Sequence, residues 1–312
     1  MPAQPILVAD IGGTNSRLAL AQGGAVLPGT VRRHENAGFD GPGDLITDYL
    51  AGQGAGPLGG VCAAVAGAVT DGAAFMTNLH WQISEDGLAR ACGVVRAVLL
   101  NDLQAQGHAL DALGSAGLRP VLAGEAGPGP RMVIGVGTGF NAAVVHDGPG
   151  GRLVTASEAG HATLPALDGQ VAALAAHLVA AGLPPEVEEA LSGRGLSRID
   201  RFLGQGGRTT REVIDAAEGE SGAAAALALF VRVLGGVAGD LALVHLPWGG
   251  VYLVGGMARA VAHRLEPDGF ADAFRAKGRL SHLMRRFPVS LIEDDFAALA
   301  GCAAFMHRGG AG

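Results

Sequence analysis

Apolar positions along the chain begin with two short runs that are separated by glycine. Residues 6–10, ILVAD, are apolar until a carboxylate ends the run at Asp10, which predicts a buried strand. Residues 16–21, SRLALA, alternate small or polar side chains with leucine, which is the period of a strand. Gly12 and Gly13 lie between the runs and predict a tight turn. The chain therefore opens with a strand, a glycine turn and a second strand.

The same order returns near the middle of the chain. Residues 131–145, RMVIGVGTGFNAAVV, again predict two strands around a glycine turn. Other apolar runs predict further strands: a third strand at AVLPGTVRRH, and buried strands at GGVCAAVAGAV, VVRAVLLND and FPVSLIED. A strand followed by a helix is predicted at GGVYLVGGMARAVAHRL. Helices are predicted at GPGDLITDYLAGQ, SEDGLARACG, LQAQGHALDAL, QVAALAAHLVAAG, PPEVEEALSG, REVIDAAEG, SGAAAALALFVRVLGGVAGDLALVHL and DFAALAGCAAFMH. These patterns indicate two related halves, of which the second is longer and more helical.

Composition narrows the class of protein. The 312 residues are enough for two domains, and 49% hydrophobic against 16% charged residues indicates a sizeable buried core. A net charge of −7 argues against nucleic-acid or membrane-surface binding, which needs a basic face, and favours a small-molecule partner. The three cysteines are far apart, so we expect reduced thiols of a cytoplasmic protein, without disulfides or a zinc cluster.

The chain shows no pattern that predicts a targeting or membrane segment. Its beginning lacks the basic start and long apolar core of a signal peptide. The Ala-rich run at 221–246 comes closest to a membrane helix, but Arg232 and Asp240 interrupt it. We expect a buried helix there.

The glycine turns suggest a chemical role. Glycine lets backbone N–H groups approach a ligand closely, and several such groups together bind phosphate. The sequence DIGGTNSR lacks the lysine of a P-loop, and it leads into a strand, whereas a dinucleotide fingerprint opens a helix. For either loop taken alone, a plain hairpin turn is the favoured interpretation. The repetition favours two phosphate loops, with Asp10 facing a metal ion on the phosphates directly or through water.

These motifs resemble those of the actin-like ATPase superfamily, which includes sugar kinases. LVADIGGTNSRLALA resembles its first phosphate motif, VIGVGTGF its second, and VYLVGGMARA its adenosine motif. More narrowly, the chain resembles the bacterial ATP-dependent glucokinase family. The supporting matches occur in order along the chain: MTNLHW at 76–81, LLNDLQAQ at 99–106, SEAGHATL at 157–164, EEALSGRGL at 188–196 and AFRAKGRL at 273–280.

The resemblance implies a fold. It is an α/β, two-domain actin-like (ribonuclease H-like) ATPase fold with a cleft between the domains. We expect a small domain at 1–106 plus 296–312 and a large domain at 107–295. The resemblance also implies a homodimer that uses ATP and Mg²⁺. Because no cysteine follows His161 in GHATLPALDG, we expect no structural zinc of the kind that the other main group of bacterial sugar kinases carries.

The resemblance also implies a catalytic base. Asp102 follows Asn101 at the end of a predicted strand, where a lone Asp is ordinarily a helix N-cap. In the family that this pair resembles, the Asp is the base and the Asn holds the sugar. A sugar hydroxyl is a poor nucleophile, so a carboxylate that orients it and accepts its proton suits phosphoryl transfer.

Other sugar ligands follow from the resemblance. Glu158 and His161 match a Glu-Gly-Gly-His motif, with Ala159 in place of its first glycine, although a lone histidine is more often an ordinary loop residue. Glu188, rather than Glu189, matches a third ligand, against the alternative of a solvated helix face. Asn78 is expected to help shape the sugar pocket.

The expected ATP contacts fall in three segments. They are Gly12, Gly13, Thr14 and Asn15 in the first loop, Gly137, Thr138 and Gly139 in the second, and Gly255, Gly256 and Met257 beneath the adenosine. The chain departs from the family pattern at Asn141, where glycine is usual, at Leu103, where phenylalanine is common, and in DDFAALAG near its end.

The sequence therefore predicts a cytoplasmic kinase that converts D-glucose and ATP into glucose 6-phosphate and ADP. One alternative is a kinase of another hexose, such as mannose, fructose or an N-acetyl amino sugar. A second is a non-catalytic sugar-sensing regulator or an actin-like assembly protein. The set of Asn101, Asp102, Glu158 and His161 argues against the second, because an assembly protein has no use for sugar ligands.

Overall fold

The computed structural model describes residues 4–76, 79–114 and 117–309. The chain divides into two compact units: unit 1 comprises Met1–Gly114 and Asp294–Gly312, and unit 2 comprises Ser115–Glu293. The expected boundary after residue 106 falls inside a helix, Asp102–Ala109, that belongs wholly to unit 1. The division comes after Gly114 because this helix packs against the C-terminal helix of the same unit.

Unit 1 is built on a sheet that starts with the predicted glycine hairpin. Its strands are β1 (Ile6–Ile11), β2 (Asn15–Gln22), β3 (Ala25–Val26), β4 (Arg32–Glu35), β5 (Val61–Val65) and β8 (Ala97–Asn101), and a separate hairpin is formed by β6 (Ala73–Met76) and β7 (Trp81–Ser84). The sheet order is β3-β2-β1-β5-β8, with β4 also paired to β2. β1 runs antiparallel to β2 and parallel to β5, which is parallel to β8.

Helices cover both faces of this sheet, which is why its central strands are apolar on both sides. They are α1 (Pro42–Gln53), α2 (Glu85–Cys92), α3 (Asp102–Ala109) and α12 (Ala297–Arg308). Leu7 and Ile11 of β1 pack in one cluster with α1 and α2, whereas Val8 packs in the other with α12. The C-terminal helix is thus part of unit 1.

Unit 2 repeats the sheet order of unit 1. Its strands are β9 (Leu118–Leu122), β10 (Arg131–Val136), β11 (Phe140–Gly148), β12 (Gly151–Thr155), β13 (Val251–Val254) and β14 (Val289–Ile292), in the order β12-β11-β10-β13-β14-β9. β10 is antiparallel to β11 and parallel to β13, which is parallel to β14. An antiparallel meander followed by two parallel strands is common to both sheets, so the prediction of two related halves is confirmed.

The helices of unit 2 surround one long apolar helix. They are α4 (Gly169–Ala180), α5 (Val187–Ala190), α6 (Gly193–Phe202), α7 (Thr210–Ala216), α8 (Ser221–His245), α9 (Gly256–Ala260), α10 (Phe270–Arg275) and α11 (Ser281–Met284). α8 is long and apolar enough to cross a membrane by length and composition, but 67% of its most apolar stretch is buried within the protein. It is a core helix, as its interrupted sequence pattern predicted.

Two predicted elements are shorter than expected. The strand expected at AVLPGTVRRH is two short strands, β3 and β4, because Pro28 and Gly29, with Gly29 at φ +77°, turn the chain between them. The helix expected at PPEVEEALSG is the four residues of α5, because Ser192 leaves the helix to cap α6.

Candidate active site

The first glycine loop lies between β1 and β2, after the pair formed by Ile11 and Ser16. Gly12 N donates to Asn15 O at 3.1 Å and closes the turn. A Cβ atom at Gly12 would lie 2.9 Å from that same oxygen, so the turn requires glycine. Thr14 is exposed at the tip of the loop.

A buried asparagine that sequence analysis did not identify supports this loop. Asn36 is 1% exposed, its Nδ2 donates to Gly12 O at 2.8 Å, and its backbone N donates to Thr14 O at 2.9 Å. Ser16, also buried, donates from Oγ to Asn36 Oδ1 at 2.7 Å. Two loop carbonyls are therefore directed toward Asn36, as a loop that offers N–H groups to an anion requires. No local sequence pattern marks Asn36, because its role depends on contacts 24 residues away.

Asp10 is held at the end of β1 by an ion pair. It lies opposite Arg17 in the hairpin, and Arg17 Nη1 is 3.0 Å from Asp10 Oδ2, with both side chains largely buried. Burial raises the pKa of Asp10, and the Arg17 charge and hydrogen bond oppose that shift. Sequence analysis did not identify Arg17, although a two-stranded register would have placed it there.

The Asp10 carboxylate suits a metal ion that arrives bound to the phosphates of a nucleotide. Among residues 4–76, 79–114 and 117–309, no three or more His, Cys, Asp or Glu side chains are grouped as a metal cage. Arg17 engages only one carboxylate oxygen of Asp10. Mg²⁺ normally keeps several waters and takes one or two carboxylates besides substrate phosphates, so a single carboxylate fits a phosphate-borne Mg²⁺.

The predicted base lies at the same sheet edge as the first loop. In the parallel strands, Ile11 is in register with Val65, and Val65 with Asn101. Gly12 and Asp102 therefore each follow the last residue of a strand on the same row, two strands apart. Strand spacing puts their backbones about 10 Å from each other.

Asn101, not Asp102, caps helix α3. Asn101 Oδ1 accepts from Leu103 N at 3.0 Å, and Gln104 Oε1 accepts from Asn101 N at 3.1 Å, which is a capping box. Asn101 Nδ2 also donates to Gly67 O at 2.9 Å. Asp102 is the first residue of the helix, is partly exposed, and accepts from Leu103 N at 2.9 Å. The Asn side chain thus already meets the need for a cap.

The second glycine loop repeats the bonding of the first. Gly137 N donates to Gly139 O at 2.9 Å, and Gly137 O accepts from Gly193 N at 2.9 Å, where α6 begins. In each loop the first glycine bonds across the turn through its N–H, while its carbonyl is bonded to another element. Thr138 is exposed at the tip, as Thr14 is in the first loop.

The predicted adenosine segment lies beside this second loop. Gly255 follows β13, has a φ of +107°, and would overlap Val136 O if it carried a Cβ atom. Only glycine permits this close approach. Gly256 and Met257 begin α9, and the Met257 side chain is buried in the core of unit 2.

Glu188 lies against the second loop. Its Oε2 accepts from Phe140 N at 3.0 Å, and a Cβ atom at Gly139 would overlap the same oxygen. A Cβ atom at Gly160 would overlap Phe140 O, so the predicted sugar segment also passes close to this strand end. Glu189 is instead paired with Arg198 at 2.6 Å. Unit 2 therefore brings Glu188, residues 158–161 and the second loop together.

His161 has a carboxylate partner that sequence analysis missed. Its Nδ1 lies 2.9 Å from Glu186 Oε2, which leaves Nε2 as the ring atom available to a ligand. The hydrogen bond to Glu186 raises the pKa of His161, and the charges of Glu186, Glu188 and Glu158 add to the shift. Asn78, the remaining predicted sugar residue, lies outside the described residues.

Two sheets of the same strand order, each with a glycine hairpin at the equivalent place, define the actin-like class of ATP-dependent sugar kinases and their relatives. The sequence model described as Glucokinase matches residues 7–309. The glucokinase of Caulobacter vibrioides strain NA1000 is 36% identical over 313 residues, covering 95% of this chain and 93% of that protein. This chain belongs to the glucokinase family, whose members are ATP-dependent sugar kinases of the hexokinase type, and the resemblance seen in the sequence is confirmed.

Solved structures agree with this assignment. A glucokinase from an Antarctic psychrotroph has a TM-score of 0.88 and 29% identity, covering 98% of this chain and 99% of that one. A ROK family glucokinase from Streptomyces griseus, crystallised with glucose and AMPPNP, has a TM-score of 0.65 and 20% identity, covering 96% and 98%. At that identity the second likeness shows the fold alone, and the two-domain actin-like prediction is confirmed.

Proposed function

We propose that this chain transfers the γ-phosphoryl group of ATP to the 6-hydroxyl of D-glucose, producing glucose 6-phosphate and ADP. The observation that carries the proposal is the position of Asp102, one residue beyond a parallel strand at the same sheet edge as the first glycine loop. A carboxylate at this position is suited to accept the proton of a hydroxyl that attacks a phosphate bound at the loop. Membership of the glucokinase family supports glucose as the sugar.

In this mechanism Asp102 is the general base. Its carboxylate accepts the proton of the 6-hydroxyl while that oxygen attacks the γ-phosphorus in line. The bond from phosphorus to the β,γ-bridging oxygen breaks, and ADP leaves with the electron pair. The proton on Asp102 then passes to solvent. In-line transfer needs mainly positioning and neutralisation of charge, so one base and well-ordered loops are sufficient protein groups.

The nucleotide is proposed to bind the glycine segments. Its phosphates are proposed to contact Gly12, Gly13, Thr14 and Asn15 of the first loop and Gly137, Thr138 and Gly139 of the second, with Gly255, Gly256 and Met257 beneath the adenosine. Mg²⁺, when bound, neutralises the phosphate charge that grows during transfer. Asp10 is the carboxylate proposed to face it, directly or through water.

The sugar is proposed to bind Asn78, Asn101, Asp102, Glu158, His161 and Glu188. Carboxylates and amides suit vicinal hydroxyls because they accept and donate hydrogen bonds in fixed directions. Asn101 already uses Oδ1 for the cap and Nδ2 for Gly67 O, so it offers the sugar its second Nδ2 hydrogen. A sugar that lacks a matching hydroxyl leaves such groups unpaired, which is the basis of specificity.

Several properties of the whole protein belong to the same proposal. We expect a cytoplasmic homodimer that acts at the entry of glucose into glycolysis and needs Mg²⁺. Light scattering coupled to size exclusion tests the dimer, and titration of Mg²⁺ at fixed ATP tests the metal requirement.

ADP release from ATP and Mg²⁺ with glucose, mannose, fructose and N-acetylglucosamine, each against a no-sugar control, tests the function. We expect the highest kcat/KM with glucose. Asp102→Asn should lower kcat by about 10²- to 10⁴-fold while the protein still binds glucose and ATP. A better turnover of another sugar would change the substrate but keep the mechanism. ATP hydrolysis that ignores sugar, or an active Asp102→Asn protein, would overturn the proposal.

A further inference from the structure

Asn141 connects the second phosphate loop to the segment that carries Glu158. It lies in β11, two residues after Gly139 and opposite Gly135. Its Oδ1 accepts from Ala159 N at 2.9 Å and from Ser157 Oγ at 3.1 Å. Its Nδ2 donates to Ser157 O and, at 3.4 Å, to Glu158 Oε2. One amide therefore contacts three consecutive residues, including the carboxylate itself.

The segment that Asn141 contacts is irregular, and besides Asn141 it is held by Ser157 Oγ, which donates to Ala142 O at 2.7 Å, and by His161 N, which donates to Glu158 O at 3.1 Å. β12 ends at Thr155, and the next regular structure is a short 3-10 turn over Ala159–His161. Glu158 lies between them, with φ −121° and ψ 52°, and its side chain is exposed. A long exposed side chain on an irregular backbone samples many conformations unless hydrogen bonds restrict it. Asn141 supplies such restraint to both the backbone and the carboxylate.

The neighbouring residue makes a parallel contact. Phe140 N donates to Glu188 Oε2 at 3.0 Å. The two residues after the second loop therefore each hold one of the carboxylates that are proposed to bind the sugar.

We propose that Asn141 is a positioning residue that presents Glu158 to the sugar. The inference rests on the proposed function, because it takes Glu158 to be a sugar ligand. Asn141 itself need not touch the substrate. Its amide orients Glu158 Oε2 through the Nδ2 donor and fixes the backbone on both sides of Glu158.

The test is a set of four proteins: wild type, Asn141→Ala, Glu158→Gln and the double variant. We expect Asn141→Ala to raise KM for glucose by about tenfold, the effect of losing one hydrogen bond to a charged group, and to leave KM for ATP within about twofold. In the Glu158→Gln background the same substitution should change KM for glucose by less than about threefold, because its target carboxylate is gone. Equal effects in both backgrounds would overturn the proposal.

A matched control separates positioning from strand stability. Thr155 Oγ1 donates to Val144 O at 3.3 Å between the same two strands, β11 and β12, and makes no contact with Glu158 that the structure records. Thr155→Ala should leave KM for glucose within about twofold. If Thr155→Ala and Asn141→Ala raise KM for glucose equally, Asn141 only stabilises the pairing of β11 with β12 and does not position Glu158.

Amide hydrogen exchange distinguishes failure of this inference from failure of the proposed function. Asn141→Ala should speed exchange of the Ala159 N–H by about tenfold or more, whether or not the protein turns over any sugar. If the wild-type protein turns over no sugar but Asn141→Ala still speeds exchange at Ala159, the proposed function is wrong and the anchoring of this segment by Asn141 is supported. Faster Ala159 exchange with an unchanged KM for glucose in an active enzyme would overturn the positioning role.

Discussion

Arg17 Nη1 lies 3.0 Å from Asp10 Oδ2 across the hairpin that carries the first glycine loop. The pair is largely buried, with side-chain exposures of 23% and 16%. Burial raises the pKa of Asp10 and the guanidinium of Arg17 lowers it, with burial the larger cause. The ionised form of Asp10, which the proposed contact with Mg²⁺ requires, therefore depends on Arg17 when no cation is bound.

Replacement of Arg17 by Met should destabilise the protein in a pH-dependent way. Loss of Arg17 leaves the Asp10 carboxylate buried and unpaired, which lowers the free energy of unfolding by about 3 kcal/mol or somewhat less, because the side chain is partly exposed. It also raises the pKa of Asp10 further. An acid whose pKa is higher in the folded state holds more protons there, so stability falls as pH rises through that range. Urea unfolding at pH 4.5 and pH 7 should show a larger loss at pH 7. Asp10→Asn combined with Arg17→Met should remove the part of the pH dependence that comes from Asp10. A loss of stability in Arg17→Met that is equal at pH 4.5 and pH 7 would contradict this account.

Asn36→Ala should affect the nucleotide more than the sugar. The substitution leaves Gly12 O and Ser16 Oγ without their buried partner, a loss of about 1–3 kcal/mol in stability. Because the Gly12 carbonyl then loses its side-chain partner, while Thr14 O keeps its bond to the backbone N of residue 36, we expect KM for ATP to rise about fivefold and KM for glucose to change less. Ser16→Ala, which removes a single hydrogen bond to Asn36, is the matched control and should have a smaller effect on both quantities. A destabilised Asn36→Ala protein with normal KM for ATP would limit Asn36 to a structural role.

Glu186→Gln should lower the pKa of His161 toward its ordinary value of 6.5. Glutamine keeps a hydrogen-bond acceptor for Nδ1 but removes the charge that favours the imidazolium. The His161–Glu186 interaction contributes to stability below the ordinary pKa of histidine and is lost as pH rises through the raised one. His161 is 62% exposed, so we expect the titration to move and the stability hardly at all.

Proton NMR of the His161 ring across pH measures that shift directly. Glu189→Gln serves as the control, because Glu189 pairs with Arg198. An unchanged His161 titration in Glu186→Gln, or an equal change in Glu189→Gln, would show that Glu186 is not the group responsible.

Gly301→Ala should disturb the helix that begins with Asp102. A Cβ atom at Gly301 of α12 would overlap the Ala105 carbonyl of α3, so the two helices must separate. Such overpacking costs about 1–3 kcal/mol, and we expect kcat to fall with it because α3 carries the proposed base. Gly43→Ala in α1, where a Cβ atom meets nothing within 4 Å, should instead be neutral or stabilising in a thermal melt. Equal melting temperatures for the two variants would argue against the close packing of α3 and α12.

The parts of the site that can be predicted from sequence are those with a local cause. Gly12 and Gly137 are recognisable because glycine between two apolar runs is the local pattern of a hairpin turn. Asp102 is recognisable at a strand end because an apolar run stops at the Asn-Asp pair. The assignment of sugar ligands came from motif order, and their roles stay predictions.

The parts that were missed lack any local signal. Hairpin β6–β7 and strand β9 were not expected, and the strand over 25–34 was expected whole although a Pro-Gly turn divides it. Asn36, Glu186 and the bonds of Asn141 to 157–159 each join positions far apart in sequence. A polar residue in a loop has the same appearance in a sequence whether it faces solvent or supports an active site.

The sequence by itself determined the two related halves, the strand–turn–strand openings and the membership of the glucokinase family, because periodicity, glycine and motif order are properties of short segments. The tertiary structure alone decided which partners hold those segments: Asn36 under the first loop, Arg17 beside Asp10, Glu186 behind His161 and Asn141 against Glu158. Hydrogen bonds and ion pairs act over about 3 Å and have no sequence period. They exist only once the chain has brought distant residues together.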